Sequence, residues 1–174
     1  MKLTILGCYA ATPRTITNPT SQILEIRNRM FLIDCGEGTQ VQLRKNKLKF
    51  SKINHIFISH LHGDHYLGLM GVLSSYNLAK RTKPLTIYGP QGLDEIITTQ
   101  FRWSHIKLNY PLHFVQTDPD QAQKLVESPF WEVHSFPLFH RLPTTGFLIK
   151  ERKRLRSLIK EKLQEHKLPL EAIQ

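Results

Sequence analysis

Ser59-His60-Leu61-His62-Gly63-Asp64-His65-Tyr66-Leu67-Gly68 sets four metal-ligand side chains within six residues, directly behind an apolar stretch at 53–59 that reads as a β-strand. His60 and His62 stand two apart, so an extended backbone turns both imidazoles to one side. Gly63 permits the sharp turn that returns Asp64 and His65 to the same mouth. One tetrahedral ion rarely takes four ligands from so short a segment, whereas two ions about 3.5 to 4 Å apart share them readily. The spacing therefore argues for a two-metal centre, against the plainer alternative of a histidine-rich surface loop.

Outward from this motif the chain alternates strand and helix. Leu3 and Ile5, Leu24 and Ile26, and the apolar run from Met30 to Ile33 predict short strands, with Arg27-Asn28-Arg29 as a hairpin connection. Residues 68–79 and 91–102 read as helices on either side of a strand at 85–88 that stops at Gly89-Pro90. Further strands are expected at 112–115, 131–136 and 146–150. The pattern predicts an α/β protein (α+β mixed sheet) with helices on the outer face and residues 1–150 as one domain. After Arg152 the character changes. Leu155, Leu158, Ile159 and Leu163 recur at helical spacing among Lys, Arg and Glu, so 151–174 reads as a basic, arm-like segment that stops without an obvious closing turn.

With 174 residues and 40% hydrophobic content the chain can bury a core of its own. Neither a signal-peptide core nor a membrane-length apolar run is present, which excludes the membrane-spanning helical class and predicts a cytoplasmic protein. Cys8 and Cys35 form no C-x-x-C pair and read as reduced, buried small hydrophobes. The net charge of +10 favours a polyanionic partner. From residue 150 to 167 there are eight Lys or Arg against three Glu, which points to Lys150, Arg152, Lys153, Arg154 and Arg156 as contacts for an acidic partner; a solvated helix face is the alternative.

His60-x-His62-x-Asp64-His65 is the signature of the metallo-β-lactamase superfamily, whose members hydrolyse lactams, thioesters, lactones and phosphodiesters. Four segments resemble one family within it, ribonuclease Z: His60-Leu-His-Gly-Asp-His-Tyr-Leu-Gly-Leu-Met-Gly-Val-Leu73, Asp34-Cys-Gly-Glu-Gly-Thr-Gln-Val-Gln-Leu43, Tyr88-Gly-Pro-Gln-Gly-Leu93 and His140-Arg-Leu-Pro-Thr-Thr-Gly-Phe147. The resemblance covers essentially the whole chain and implies the N-terminal part of an αββα sandwich lacking much of its second half. It implies one zinc on the residues matching His60, His62 and His140, and a second on those matching Asp64 and His65, with Asp64 also the proton acceptor for the attacking water. Without the resemblance His140 is a lone histidine after an apolar strand. Asp34 ends a strand nearby and either accepts a hydrogen bond from a ligand histidine or forms a turn before Gly36. The implied activity is zinc-dependent removal of the 3′ trailer from precursor tRNA, by a homodimer whose basic arm grips the RNA backbone. Another small-ester or thioester hydrolase of the same fold, and a non-catalytic fragment, are the alternatives. His166 and Glu171 are later residues of ligand type, and neither carries a family motif; His55, His105, His113 and His134 read as surface or core histidines.

Overall fold

The computed structural model describes residues 1–10 and 14–152. Six strands form the larger sheet in sequence order: β1 (Lys2–Gly7), β2 (Ser21–Ile26), β3 (Arg29–Cys35), β4 (Ile53–Phe57), β5 (Leu85–Gly89) and β6 (Leu112–Gln116). β1, β2 and β3 pair antiparallel, and from β3 to β6 every pairing is parallel. The expected β2–β3 hairpin is a two-residue turn at Arg27-Asn28, with Ile26 opposite Arg29. A smaller antiparallel sheet holds β7 (Gln123–Glu127), β8 (Trp131–Leu138) and β9 (Thr144–Glu151).

Strand parity decides what each face of the larger sheet packs against. On β3, Met30 and Leu32 point to one side, and a register shift after Ile53 on β4 lets both Ile53 and Ile56 join them against Leu43, Leu73, Ile97 and Phe101 of the helices. Phe31 and Phe57 point to the other side, against Trp131 and Phe147 of the smaller sheet, and the Phe31 and Trp131 rings meet edge to face at 4.8 Å. The layers are thus helices, mixed sheet, second sheet. The second sheet stops short of β1, where Leu3 and Ile5 remain half exposed.

Three helices cover the outer face: α1 (Thr39–Lys45), α3 (Leu69–Leu78) and α4 (Leu93–Trp103), with the single turn α2 (Gly63–Tyr66) leading into α3. α1, α3 and α4 end identically. Lys47, Lys80 and His105 adopt left-handed backbone (φ +54 at each), and the next N–H reaches back to Leu43, Tyr76 and Phe101 respectively. This double-bonded helix end normally favours glycine. All three ends lie at the amino end of the parallel strands, opposite the 59–68 motif.

α1 and β7 were not anticipated. α1 has seven residues, of which only Thr39 and Leu43 are buried, and β7 is a half-buried edge strand, so neither shows a clear apolar period. One expectation is corrected: Cys35 is buried, but Cys8 is exposed. It follows a bulge between Ile5 and Gly7 that resets the in-and-out alternation of β1. The arm-like segment, with Lys153, Arg154, Arg156 and His166, lies outside the described residues.

Candidate metal centre

The motif begins where β4 leaves the sheet. Its continuation is pinned on both sides, Ile58 N–H to the Tyr88 carbonyl at 2.8 Å and Thr145 N–H to the Ser59 carbonyl at 3.1 Å. The second bond fixes the start of β9 against the motif, so the β8–β9 connection carries His140 and Arg141 across to His62. Among the described residues, His60, His62 and His140 are the one group of three or more potential ligands whose donor atoms all lie within 4.8 Å of one another. His60 Nε2 is 2.8 Å from His62 Nδ1, and His140 Nε2 is 3.1 Å from the same atom. Two nitrogens bound tetrahedrally at 2.0 to 2.1 Å from one ion stand about 3.3 Å apart, so each of these two pairs needs to open by only a few tenths of an ångström to share a metal.

Asp34 organises what lies behind these rings. It is buried, at a positive φ of 52° that aspartate tolerates better than most residues. Its Oδ1 accepts the Ser59 N–H at 2.8 Å, its carboxylate accepts the Ser59 hydroxyl at 2.9 and 3.0 Å, and its Oδ2 accepts from His65 Nδ1 at 2.8 Å. A carboxylate only accepts, so the Ser59 proton points to Asp34 and Ser59 Oγ takes the Nδ1 proton of His60 at 2.9 Å. The network therefore assigns both His60 and His65 the tautomer with a bare Nε2. That is the form in which an imidazole binds a metal. His65 Nε2 lies 3.6 Å from Asp64 Oδ2, placing the second pair of candidate ligands side by side.

The electrostatics agree at His60. Burial, then the neighbouring imidazoles of His65 and His62, draw the His60 pKa from 6.5 to about 4, against the opposing Asp34 charge, and keep the ring neutral. Burial lowers that of His65 too, but the Asp34 bond and the two carboxylate charges outweigh it and the net shift is upward. Arg141 Nη2 sits 3.3 Å from His62 Nε2, and with Glu37 it lines the open basin of about 690 Å³ above the cluster.

The structure brings His60, His62, Asp64, His65 and His140 to one basin with Asp34 behind them. Lys150 and Arg152 lie elsewhere, at the end of β9, where Arg152 pairs with Glu127 at 2.6 Å and Glu132 at 3.1 Å and Lys150 lies 3.7 Å from Glu132. Sequence reading missed Ser59 and Arg141 as site residues. Both flank quoted motif histidines, and no spacing rule marks a serine as the link between Asp34, His60 and His65.

The mixed sheet with a histidine cluster at the carboxyl end of its parallel strands defines the class: a metallo-β-lactamase-fold protein. A family model described as Anti-Pycsar protein Apyc1 matches residues 1–108, and the chain belongs to that family. Bacterial ribonuclease Z proteins are its homologues over nearly its whole length. The ribonuclease Z of Bacteroides fragilis is 44% identical over 169 residues, 97% of this chain and 56% of that protein. That of Cytophaga hutchinsonii is 44% identical over 173 residues, 99% of this chain and 55% of that protein. The crystal structure of the short form of human tRNase Z superposes with a TM-score of 0.79 at 36% identity, covering 87% of this chain and 65% of that one. The chain thus spans somewhat over half the length of the curated relatives it matches.

Proposed function

We propose that the chain carries the metal-binding part of a zinc-dependent endoribonuclease that removes the 3′ trailer from precursor tRNA. The observation that carries this reading is the convergence of His60, His62 and His140 beside an Asp34-tethered His65 and Asp64; the ribonuclease Z relatives supply the substrate. His60, His62 and His140 would hold one zinc, and Asp64 and His65 would contribute to a second. When bound, the metals lower the pKa of a water and neutralise charge on the scissile phosphate.

The chain's own residues do the rest. Asp34 and Ser59 hold His60 and His65 in the ligating tautomer. Asp64 lies at the mouth to accept the proton of the attacking water, and the trailer leaves with the 5′ phosphate. Arg141 has a conditional part. A guanidinium only donates, so its contact with His62 Nε2 requires the proton on Nδ1. Were His62 to hold a zinc through Nδ1, its proton would sit on Nε2, leaving Arg141 no acceptor there and free to turn toward the phosphate. The basic arm at 151–174, with Lys150, Arg152, Lys153, Arg154 and Arg156, supplies sequence-independent backbone contacts to the tRNA in a cytoplasmic homodimer.

The test is incubation of zinc-loaded protein with a 3′-extended tRNA. Cleavage to a 3′ hydroxyl and a 5′-phosphorylated trailer, lost with chelator and in Asp64→Ala, is the expected result. Hydrolysis of a thioester or lactone with the RNA left intact would establish the other enzymatic reading, and no zinc uptake would leave a non-catalytic fragment.

A further inference from the structure

The opposite end of the sheet holds a charge distribution that the metal centre does not use. From residue 38 to 93 the sequence contains eight Lys or Arg and a single acidic residue, Asp64, which lies in the metal basin. Folding gathers all eight cations at the amino end of the parallel strands: Arg44 and Lys45 in the last turn of α1, Lys47 at its left-handed end, Lys49 and Lys52 around the 3₁₀ turn at Phe50–Lys52, and Lys80, Arg81 and Lys83 between α3 and β5.

Lys49, Lys80, Arg81 and Lys83 line one concave pocket of about 470 Å³ with Phe50 and Tyr76. Its frame is rigid. Arg81 donates to the Lys83 and Pro84 carbonyls at 2.7 Å each and to Asn54 Oδ1 at 2.8 Å, and lies 4.8 Å over the Tyr76 ring. The Tyr76 hydroxyl donates to the Phe50 carbonyl at 3.2 Å. Around this frame Lys49, Lys80 and Lys83 are exposed, and none of them forms an ion pair among the described residues.

Helix dipoles account for a minority of this charge. Three helix C-termini bring about half a negative charge each, roughly one and a half against eight cations. A bilayer surface fits poorly, because the pocket is concave and membrane-surface sites pair their cations with a broad apolar face. We propose that this basic end of the sheet is a second docking surface for the phosphate backbone of RNA, distinct from the metal basin and about 25 Å from it by the length of β4 and its continuation. It rests on the reading of the protein as an RNA-processing nuclease, and gives that nuclease a grip on its substrate remote from the scissile bond.

The test is a fluorescence-anisotropy titration of a labelled 3′-extended tRNA at several salt concentrations, using the full chain, Lys49→Gln/Lys80→Gln/Lys83→Gln, and Lys2→Gln/Lys124→Gln as a charge control. The triple variant should bind about tenfold or more weaker near 0.1 M salt, with the slope of log affinity against log salt reduced by about 2, while its zinc content and the control's affinity match the parent. Three results overturn the proposal: unchanged affinity and slope in the triple variant, an equal loss in the control, or a parent that binds anionic phosphatidylserine vesicles and not RNA. Trailer cleavage is measured on the same preparations. Cleavage with an unchanged salt slope refutes the docking surface and leaves the nuclease reading intact, whereas a changed slope without cleavage refutes the nuclease reading alone.

Discussion

Replacing Asp34 separates two things its carboxylate does, supporting the fold and setting histidine tautomers. In Asp34→Ala the Ser59 N–H loses the acceptor it has at 2.8 Å, which costs about 1 to 3 kcal/mol for a partly buried donor. A Cβ-bearing residue other than Asp or Asn at φ 52 adds roughly 1 kcal/mol. The metal-free protein should therefore lose about 3 kcal/mol by urea denaturation, and Asp34→Gly about 1 kcal/mol less, because glycine accepts that backbone. Asp34→Asn is the decisive variant. Its amide oxygen keeps the Ser59 bond, so stability changes little, but its NH₂ faces His65 Nδ1, now 2.8 Å from Oδ2, and donates to it. His65 then carries its proton on Nε2, the atom that faces Asp64 and the metal. Zinc affinity, measured by competition with a chromophoric chelator, should fall tenfold to a hundredfold in all three variants, including the asparagine protein that remains stable. Parent-like zinc affinity in Asp34→Asn would refute the tautomer argument.

Other perturbations probe the frame. His55 stacks among Phe31, Tyr88 and Trp131, and burial, followed by the charge of Arg29, lowers its pKa from 6.5 to about 4. The unfolded chain takes up this proton first, so stability is full above pH 6.5 and declines as pH falls toward 4, by up to about 3 kcal/mol. His55→Phe should flatten that decline in metal-free urea titrations, and an unchanged pH slope would contradict it. Lys47→Gly and His105→Gly should each raise the unfolding free energy by up to about 1 kcal/mol, because both residues hold left-handed helix ends; a loss of stability in either would show that its side chain contributes more than its backbone costs. Gly68→Ala should cost about 2 to 3 kcal/mol and lower zinc content, since its Cβ would stand 2.0 Å from the Gly36 carbonyl oxygen; a melting temperature equal to the parent's would argue against that close approach.

The parts of the fold legible in the sequence are those where one period governs a whole element. Residues 85–88, 91–102 and 131–136 alternate or repeat clearly, and β5, α4 and β8 lie there within a few residues. α1 and β7 bury too little to leave a period. The candidate site was legible where its potential ligands are consecutive, as at His60, His62, Asp64 and His65, and His140 emerged through the motif following it rather than through any local pattern. Ser59 and the basic end of the sheet were hidden for a shared reason. Each depends on residues far apart in the chain, Asp34 with Ser59 and His65, or Lys49 with Lys80 and Lys83, and linear spacing carries no record of that meeting. The charge at 150–167 drew attention because it is contiguous, although its first two members, Lys150 and Arg152, are engaged by carboxylates of the smaller sheet.

The ligand-bearing turn is fastened to the sheet by main chain. Gly68 N–H donates to the Cys35 carbonyl at 2.9 Å, and Gly36 lies so close beneath that a Cβ there would stand 2.4 Å from the Asp64 carbonyl oxygen. Because this fastening uses atoms every residue shares, it does not call on the side chains of Leu67 or Arg141 at the rim of the basin. Those two positions can therefore be varied in a library with this fastening retained, provided Gly36 and Gly68 are held fixed. The same separation gives substrate preference a way to drift among relatives without the metal site having to be rebuilt.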